Sequence, residues 1–287
     1  MASNLALVSD RRRGAVFAVD LDNKAASEAF GGFTEPAGIS ETPGGGYVVA
    51  DRGAHQIVVV DDIAGSNPES FGTHGTGINE FTHPLDAGVT PAGELLIADA
   101  GNHRLVQVDD PSGTNWTAFG TEGRPSPADP AVGKFDSPTS IIGLADGSIV
   151  AADPGGGRVI TISSIDGADW TSFGLSTTEA TTLNAPVGVS ADAASVYVSE
   201  LGARRVSLYP SFPAEPPERI ADAVWDVLPH APSALSAFGS DGLLVLDAAL
   251  ARLVEIHQQA GAWQITASVS LRRVGVEEPT GVCKVTA

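Results

Sequence analysis

With 43% hydrophobic residues among 287, the chain has the apolar content for a large core, which excludes an intrinsically disordered protein. Lysine and arginine total 16 against 35 aspartate and glutamate, a formal charge of −19. That field repels phosphate backbones and anionic lipid surfaces, so nucleic acid and membranes are excluded as partners, while a basic peptide or protein is attracted. A single cysteine, Cys283, excludes an intrachain disulfide.

Taken in chain order, the N-terminus has no basic segment followed by an apolar one. Arg11-Arg12-Arg13 precedes only six residues before Asp20, too few for an export signal. No apolar run is long enough to span a bilayer. The reading is a soluble cytoplasmic protein, although a chain whose signal had been removed would read the same.

Two marks then recur along the whole sequence. A proline precedes a short apolar segment at Pro36, Pro84, Pro138, Pro186, Pro232 and Pro279, with spacings of 48, 54, 48, 46 and 47 residues. An acidic residue closes an apolar strand at Asp10, Asp51, Asp99, Asp153, Glu200 and Asp247, 14 or 15 residues after the preceding proline wherever one precedes it. Five residues past the acid stands Gln56, Arg104, Arg158, Arg205 or Arg252, with Ala15 in the first copy, and a further β-branched or leucine strand follows. Phe-Gly closes four of the units, at Phe30-Gly31, Phe71-Gly72, Phe119-Gly120 and Phe173-Gly174.

Each unit resolves into four short strands. In the second they are 87–89, 95–98, 104–108 and 116–119, rich in β-branched and aromatic residues and divided by Gly, Pro, Asn or Asp. No stretch has a convincing helical period, although 221–227 can form one turn. Four strands at this period predict a propeller blade. The ends are out of phase: the chain begins on a second strand at 5–8 and finishes on a first strand at 281–285. Joining the two, about 1–30 with 276–287, completes a sixth blade and leaves no open sheet edge. The prediction is one all-β domain over 1–287, a six-bladed β-propeller of four-stranded blades.

The stretch Ala98-Asp99-Ala100-Gly101-Asn102-His103-Arg104-Leu105 resembles the NHL repeat, named for its Asn-His-Leu signature. Ala50-Asp51-Arg52-Gly53-Ala54-His55-Gln56-Ile57 is a looser copy, the stretches from Asp153 and Glu200 are looser still, and from Asp247 the glycine is replaced by Ala249. The resemblance covers nearly the whole chain. It implies a six-bladed propeller. It implies little about activity, since such propellers include protein- and RNA-binding modules and their relatives include metal-dependent lyases and lactone hydrolases.

In a propeller the first strand of each blade lines the channel. Proline-plus-two is Gly38, Asp86, Ser140, Gly188, Ala234 and Gly281, and proline-plus-four is Ser40, Gly88, Ile142, Ser190, Ser236 and Cys283; a period of two puts both sets on the channel side. Asp86 breaks the ring of small residues. A carboxylate there loses hydration and its pKa rises unless donors or a cation compensate. His83 lies three residues upstream, and Glu35, Arg52, His230 and Glu278 occupy rim positions of other blades.

Two readings stay open. In one, Asp86 and His83 are the catalytic pair, with Glu35, Arg52, Ser140, His230 and Glu278 holding a small-molecule substrate for acid/base lyase, cyclase or lactone-type hydrolase chemistry. No cofactor is required, although Asp86 and His83 can ligate a divalent metal ion. In the other, Asp86 receives a water or a backbone N–H, and the chain is a non-catalytic scaffold that binds a protein or a basic peptide. His55 and His103 read as loop-packing residues, the repeated acids as loop-fixing acceptors and Arg11-Arg12-Arg13 as a solvated loop or an anion clamp. Cys283 reads as a buried thiol, and Trp116 and Trp170 as packing residues. The connections 72–84, 120–138 and 210–232 overhang the same mouth, as a partial lid or as plain surface loops. No phosphate loop, dinucleotide fingerprint, zinc-ligand set or serine-nucleophile elbow is present.

Overall fold

The computed structural model describes residues 4–126, 129, 131–174, 183–210, 218–219, 231–259 and 262–285. They form six four-stranded antiparallel sheets, a six-bladed β-propeller. The inner strands, blade 1 to blade 6, are Pro36–Glu41, Pro84–Val89, Ser140–Gly143, Pro186–Ala191, Pro232–Phe238 and Pro279–Lys284. The last of these pairs with Leu5–Asp10, Leu7 opposite Cys283 and Val8 opposite Val282, so the two ends of the chain complete blade 6 as expected. His230 and 221–227 lie outside the described residues, as does most of 210–232.

The strand sequences follow from where each strand sits. The second strands, such as Tyr47–Asp51, Leu95–Asp99 and Ile149–Asp153, are buried at every position, because blades cover them on both faces and strands on both edges. They therefore read as unbroken apolar runs rather than as alternations. The outer strands of blades 1 to 3, Glu69–Phe71, Thr117–Phe119 and Thr171–Phe173, are three residues long and mostly outside the core, whereas those of blades 5 and 6, Ala262–Ser270 and Ala25–Gly31, run to nine and seven residues. Six apolar clusters lie one between each pair of neighbouring blades and close the ring. The inner strand of blade 6 feeds two of them, Val282 on one side and Cys283 on the other.

The acid that ends each second strand is fully buried, and at Asp10, Asp51, Asp99, Asp153 and Glu200 its oxygens collect donors from the loop that leads into the same blade. Asp99 accepts the Thr82 N–H at 2.8 Å, the Asn102 side-chain amide at 2.8 Å and Arg104 Nε at 2.8 Å. Asp51 accepts the N–H groups of Thr34 and Glu35, both at 2.9 Å. Asp10 receives Glu277 N–H at 2.6 Å across the joint between the two ends. Arg104 continues past Asp99 to the carbonyls of Thr76 at 2.7 Å and Glu80 at 2.7 Å, and its guanidinium lies 5.5 Å from the Trp116 ring. Arg158 repeats the arrangement on Asp153 at 3.1 Å, the Lys134 carbonyl and the Trp170 ring.

The long connections are thereby fastened down. Two of them, 72–84 and 120–138, carry a two-residue parallel ladder, Thr73–His74 with Glu80–Phe81 and Thr121–Glu122 with Lys134–Phe135. Phe81 and Phe135 have no exposed surface, and their rings stand 5.2 Å from Trp116 and 5.5 Å from Trp170. The Phe-Gly signature has its reason here. Gly72 sits at φ +105°, and a Cβ on it would meet the Phe81 ring at 2.5 Å; Gly120 repeats this against Phe135 at φ +120°.

Two outcomes test this architecture. A chain cut before Pro279 loses the strand that joins blade 6 to both neighbours, and its thermal unfolding, followed by circular dichroism, is expected to broaden into a non-cooperative transition. Asp99→Ala strands the Arg104 charge and the Thr82 N–H, and urea unfolding should show a loss of about 3–5 kcal/mol, the usual cost of breaking a buried charge pair.

Candidate functional site

The first turn of each inner strand sets the shape of the mouth. Proline has no N–H to give the ladder, so it marks a bulge. The register shifts between Pro84 and Asp86, Pro186 and Gly188, and Pro232 and Ala234, and similarly after Pro36. The residue after each proline is left out of the pairing and turns onto the rim. Ala37, Leu85, Thr139, Val187, Ser233 and Thr280 line a basin of about 390 Å³. A strict period of two does not anticipate this ring; the prolines were its signal.

Beneath the basin lies a channel of about 230 Å³. All six proline-plus-two residues line it, as does every proline-plus-four residue except Gly88. The residues between those positions, Ile39, Ala87, Ile141, Val189, Leu235 and Val282, are buried between blades, at most 8% exposed.

Asp86 stands at the neck, half-buried, one residue below Leu85. Its Oδ1 accepts the Ala87 N–H at 2.9 Å, and its Oδ2 accepts Ser140 Oγ–H at 2.8 Å and the Ile141 N–H at 3.1 Å. Ser140 Oγ in turn accepts the Val189 N–H at 3.2 Å. One hydrogen-bonded chain thus runs from blade 2 through blade 3 to blade 4. Ser190 and Ser236 do the same between later blades, accepting the N–H groups of Ala237 and Lys284. Room for the carboxylate comes from Gly38 of blade 1, where an added Cβ would overlap Oδ1 and come within 2.8 Å of the Asp86 Cα. Burial pushes the Asp86 carboxyl up to about 6, against the opposing pull of Ser140, Ile141 and Ala87.

The other predicted residues are spread around the upper rim. Glu35 and Arg52 meet at 2.6 Å and both edge the basin. Glu278 pairs with Arg11 at 3.0 Å beside them, and Glu277 holds Arg12 and Arg13, each at 3.1 Å. These pairs are a third or more exposed, so they shape the wall more than they stabilise it.

His83 is exposed, at φ +50°, and its N–H donates to His55 Nδ1 at 3.1 Å, with the two rings 4.7 Å apart. His103 accepts the Ser137 N–H in the same way in the next blade. His55 and His103 are therefore clasps between successive loops. Among the described residues no hydrogen bond joins His83 to Asp86. Nor, among the described residues, do three or more His, Cys, Asp and Glu side chains gather to hold a metal ion. Cys283 is buried in the channel wall, and burial pushes its thiol up to about 12, far from a thiolate at neutral pH.

The Asp86 assignment yields a titration. Its folded pKa lies above the ordinary 3.8. The folded chain therefore holds this proton more tightly than the unfolded chain between about pH 4 and pH 6. The contribution of this group to stability is complete below that window and is lost as pH rises through about 6. Carbon-13 NMR should show the Asp86 carboxyl, assigned by its loss in Asp86→Asn, with a midpoint near 6, and Ser140→Ala, which removes a donor to the ionised form, should move it higher. An ordinary midpoint would refute the burial of this group.

No family model matches the chain, and no curated protein sequence matches it. Its likeness is to solved structures. A chain of the crystal structure of the Nidogen/Laminin complex superposes with a TM-score of 0.74 at 13% identity, covering 99% of this chain and 98% of that one. The selenomethionine-substituted virginiamycin B lyase from Staphylococcus aureus superposes with a TM-score of 0.63 at 12% identity, covering 93% and 82%. A catalytically inactive variant of that lyase, crystallised with Quinupristin, gives 0.53 at 16% identity, covering 83% and 75%. At these identities the comparisons show the fold alone, a six-bladed β-propeller; among the described residues no helix is long and apolar enough to cross a membrane.

Proposed function

We propose that this propeller takes a small organic molecule into the basin above its channel, and that Asp86 exchanges a proton with it in lyase-type chemistry. The carrying observation is the placement of a titratable carboxyl in the neck directly under that basin, in a ring otherwise made of glycine, alanine and serine. A carboxyl near 6 holds both protonation states close to neutral pH, as general acid/base work requires. Leu85 and Val187 offer an apolar floor, and the Arg52–Glu35 and Arg11–Glu278 pairs offer a polar wall, the combination that orients a compact amphipathic ligand. The lyase among the similar structures supports this reading only as a precedent on the same fold.

A second reading, a propeller that binds without catalysis, draws on two observations. Asp86 accepts three protein donors, the same role that Ser140 plays for the next blade. The exposed large apolar side chains among the described residues, Ile78, Val132, Leu201 and Leu250, all stand on loops of the upper face.

Small molecules screened by thermal shift separate the two. A true ligand at a hundredfold excess over its Kd stabilises the chain by about 2.7 kcal/mol. Leu85→Arg, which fills the basin, should abolish the shift. Asp86→Asn should keep it and slow any turnover by about 10²–10⁴-fold, the usual share of one acid/base group. Undiminished turnover by Asp86→Asn leaves only the binding reading, and a shift that survives Leu85→Arg removes the basin from both.

A further inference from the structure

The opposite face of the propeller has a different character. It is formed by the turns from inner to second strands and from third to outer strands. Of the chain's 16 lysines and arginines, only Lys24 and Lys284 stand on that face among the described residues. Lys284 is occupied. Its ammonium bonds Asn4 Oδ1, lies 3.3 Å from Glu255 Oε1 and 4.6 Å from the centre of the Phe238 ring, and the side chain is 10% exposed. The face therefore presents carboxylates almost without competing cations.

Across four neighbouring blades, from Pro91 of blade 2 to Phe238 of blade 5, this face also carries an apolar groove of about 610 Å³. Leu144 of blade 3, Ala191 and Val196 of blade 4 and Phe238 of blade 5 line it, and the exposed Ala193 and Ala194 form part of its wall. Asp146 and Asp192 stand along it, and Asp241 follows Phe238 in the turn of blade 5. Asp146 accepts Ser148 N–H at 3.0 Å and Ser148 Oγ–H at 2.6 Å, bonds that hold its carboxyl below the usual range. Asp192 accepts the Ala194 and Ser195 N–H groups and the Tyr197 hydroxyl, each at 2.8 Å. The charges of Asp146 and Asp192 are thus fixed in place by their turns rather than carried on mobile stems, while Asp241 faces His257, its Oδ1 3.6 Å from Nδ1.

We propose that this groove docks a basic polypeptide segment in extended form. Alternate side chains of an extended strand point to opposite sides. One set lies on Leu144 and Phe238, while the lysines or arginines between them reach Asp146, Asp192 and Asp241. Charge complementarity selects the occupant: an acidic or neutral segment gains nothing from these edges, and a purely cationic one leaves the floor uncovered. The site is on the far side of the channel from the basin and does not depend on Asp86.

The test uses the full chain and a short fluorescent peptide alternating lysine with leucine, followed by anisotropy, beside a glutamate–leucine peptide and oligolysine. The expected result is binding of the first peptide only, weakened by added salt. Ala194→Arg, at an exposed position in the groove, should weaken binding by roughly tenfold or more, as loss of an interface anchor does. Glu69→Lys, an exposed charge reversal on blade 1 of the same face, changes net charge more and should weaken it far less.

Should Ala194→Arg melt early by circular dichroism, a photo-crosslinking residue in the peptide replaces it and is expected to label 144–148, 191–195 or 238–241. Failure of the lysine–leucine peptide to bind, equal binding of oligolysine, equal loss in Glu69→Lys, or labelling elsewhere each overturns the proposal.

Discussion

A carboxylate removed from water must find donors, and in this propeller that requirement is repeated around the ring at the end of every second strand. Each of these acids is fully buried. At Asp10, Asp51, Asp99, Asp153 and Glu200, backbone N–H groups of the loop entering the same blade supply donors. At Asp99, Asp153 and Glu200 the arginine five residues on supplies another. The loop that enters the blade, the turn that leaves the second strand and the start of the third strand are thereby held to one point. Without these carboxylates the upper loops would have no common anchor, and the mouth they surround would have no defined shape.

The mouth itself rests on a second constraint, the missing N–H of proline. Where the inner strand begins, the ladder skips a residue, and the skipped side chain turns onto the rim. Below the bulge the alternation resumes, which places Asp86 and Ser140 in the channel and their neighbours between blades. Asp86 and Ser140 are then equivalent acceptors of the next blade's N–H, at 3.1 and 3.2 Å. The carboxylate differs from the hydroxyl in carrying a charge, and only the glycine at position 38 leaves space for it. A structural pin and a titratable group thus coincide in one side chain.

The two faces are chemically unlike because the repeat assigns different tasks to its two ends. Arginines concentrate on the upper side, where they answer the buried acids and the rim glutamates. Turn aspartates concentrate on the lower side, where Asp20, Asp62, Asp110, Asp146 and Asp166 each cap a turn through hydrogen bonds that favour the ionised form. The net charge of −19 is therefore not spread evenly. A partner approaching this molecule meets a mixed, apolar-tipped surface on one side and an anionic one on the other.

Much of this was legible in the residues alone. The spacing of Pro36, Pro84, Pro138, Pro186, Pro232 and Pro279, and of the acids after them, determined the blade count. The phase of the two ends determined the closure of blade 6, because a period repeated in sequence is a local property that needs no knowledge of contacts. The alternation along the inner strands likewise placed Asp86 in the channel. What the tertiary structure alone decided are relations between blades. It showed that Asp86 bonds Ser140 and Ile141 and fits against Gly38, that His83 turns to His55, and that the rim belongs to the bulged residues Leu85 and Val187. Those relations join residues tens of positions apart and depend on the twist and register of neighbouring sheets, quantities that no single strand carries in its own sequence.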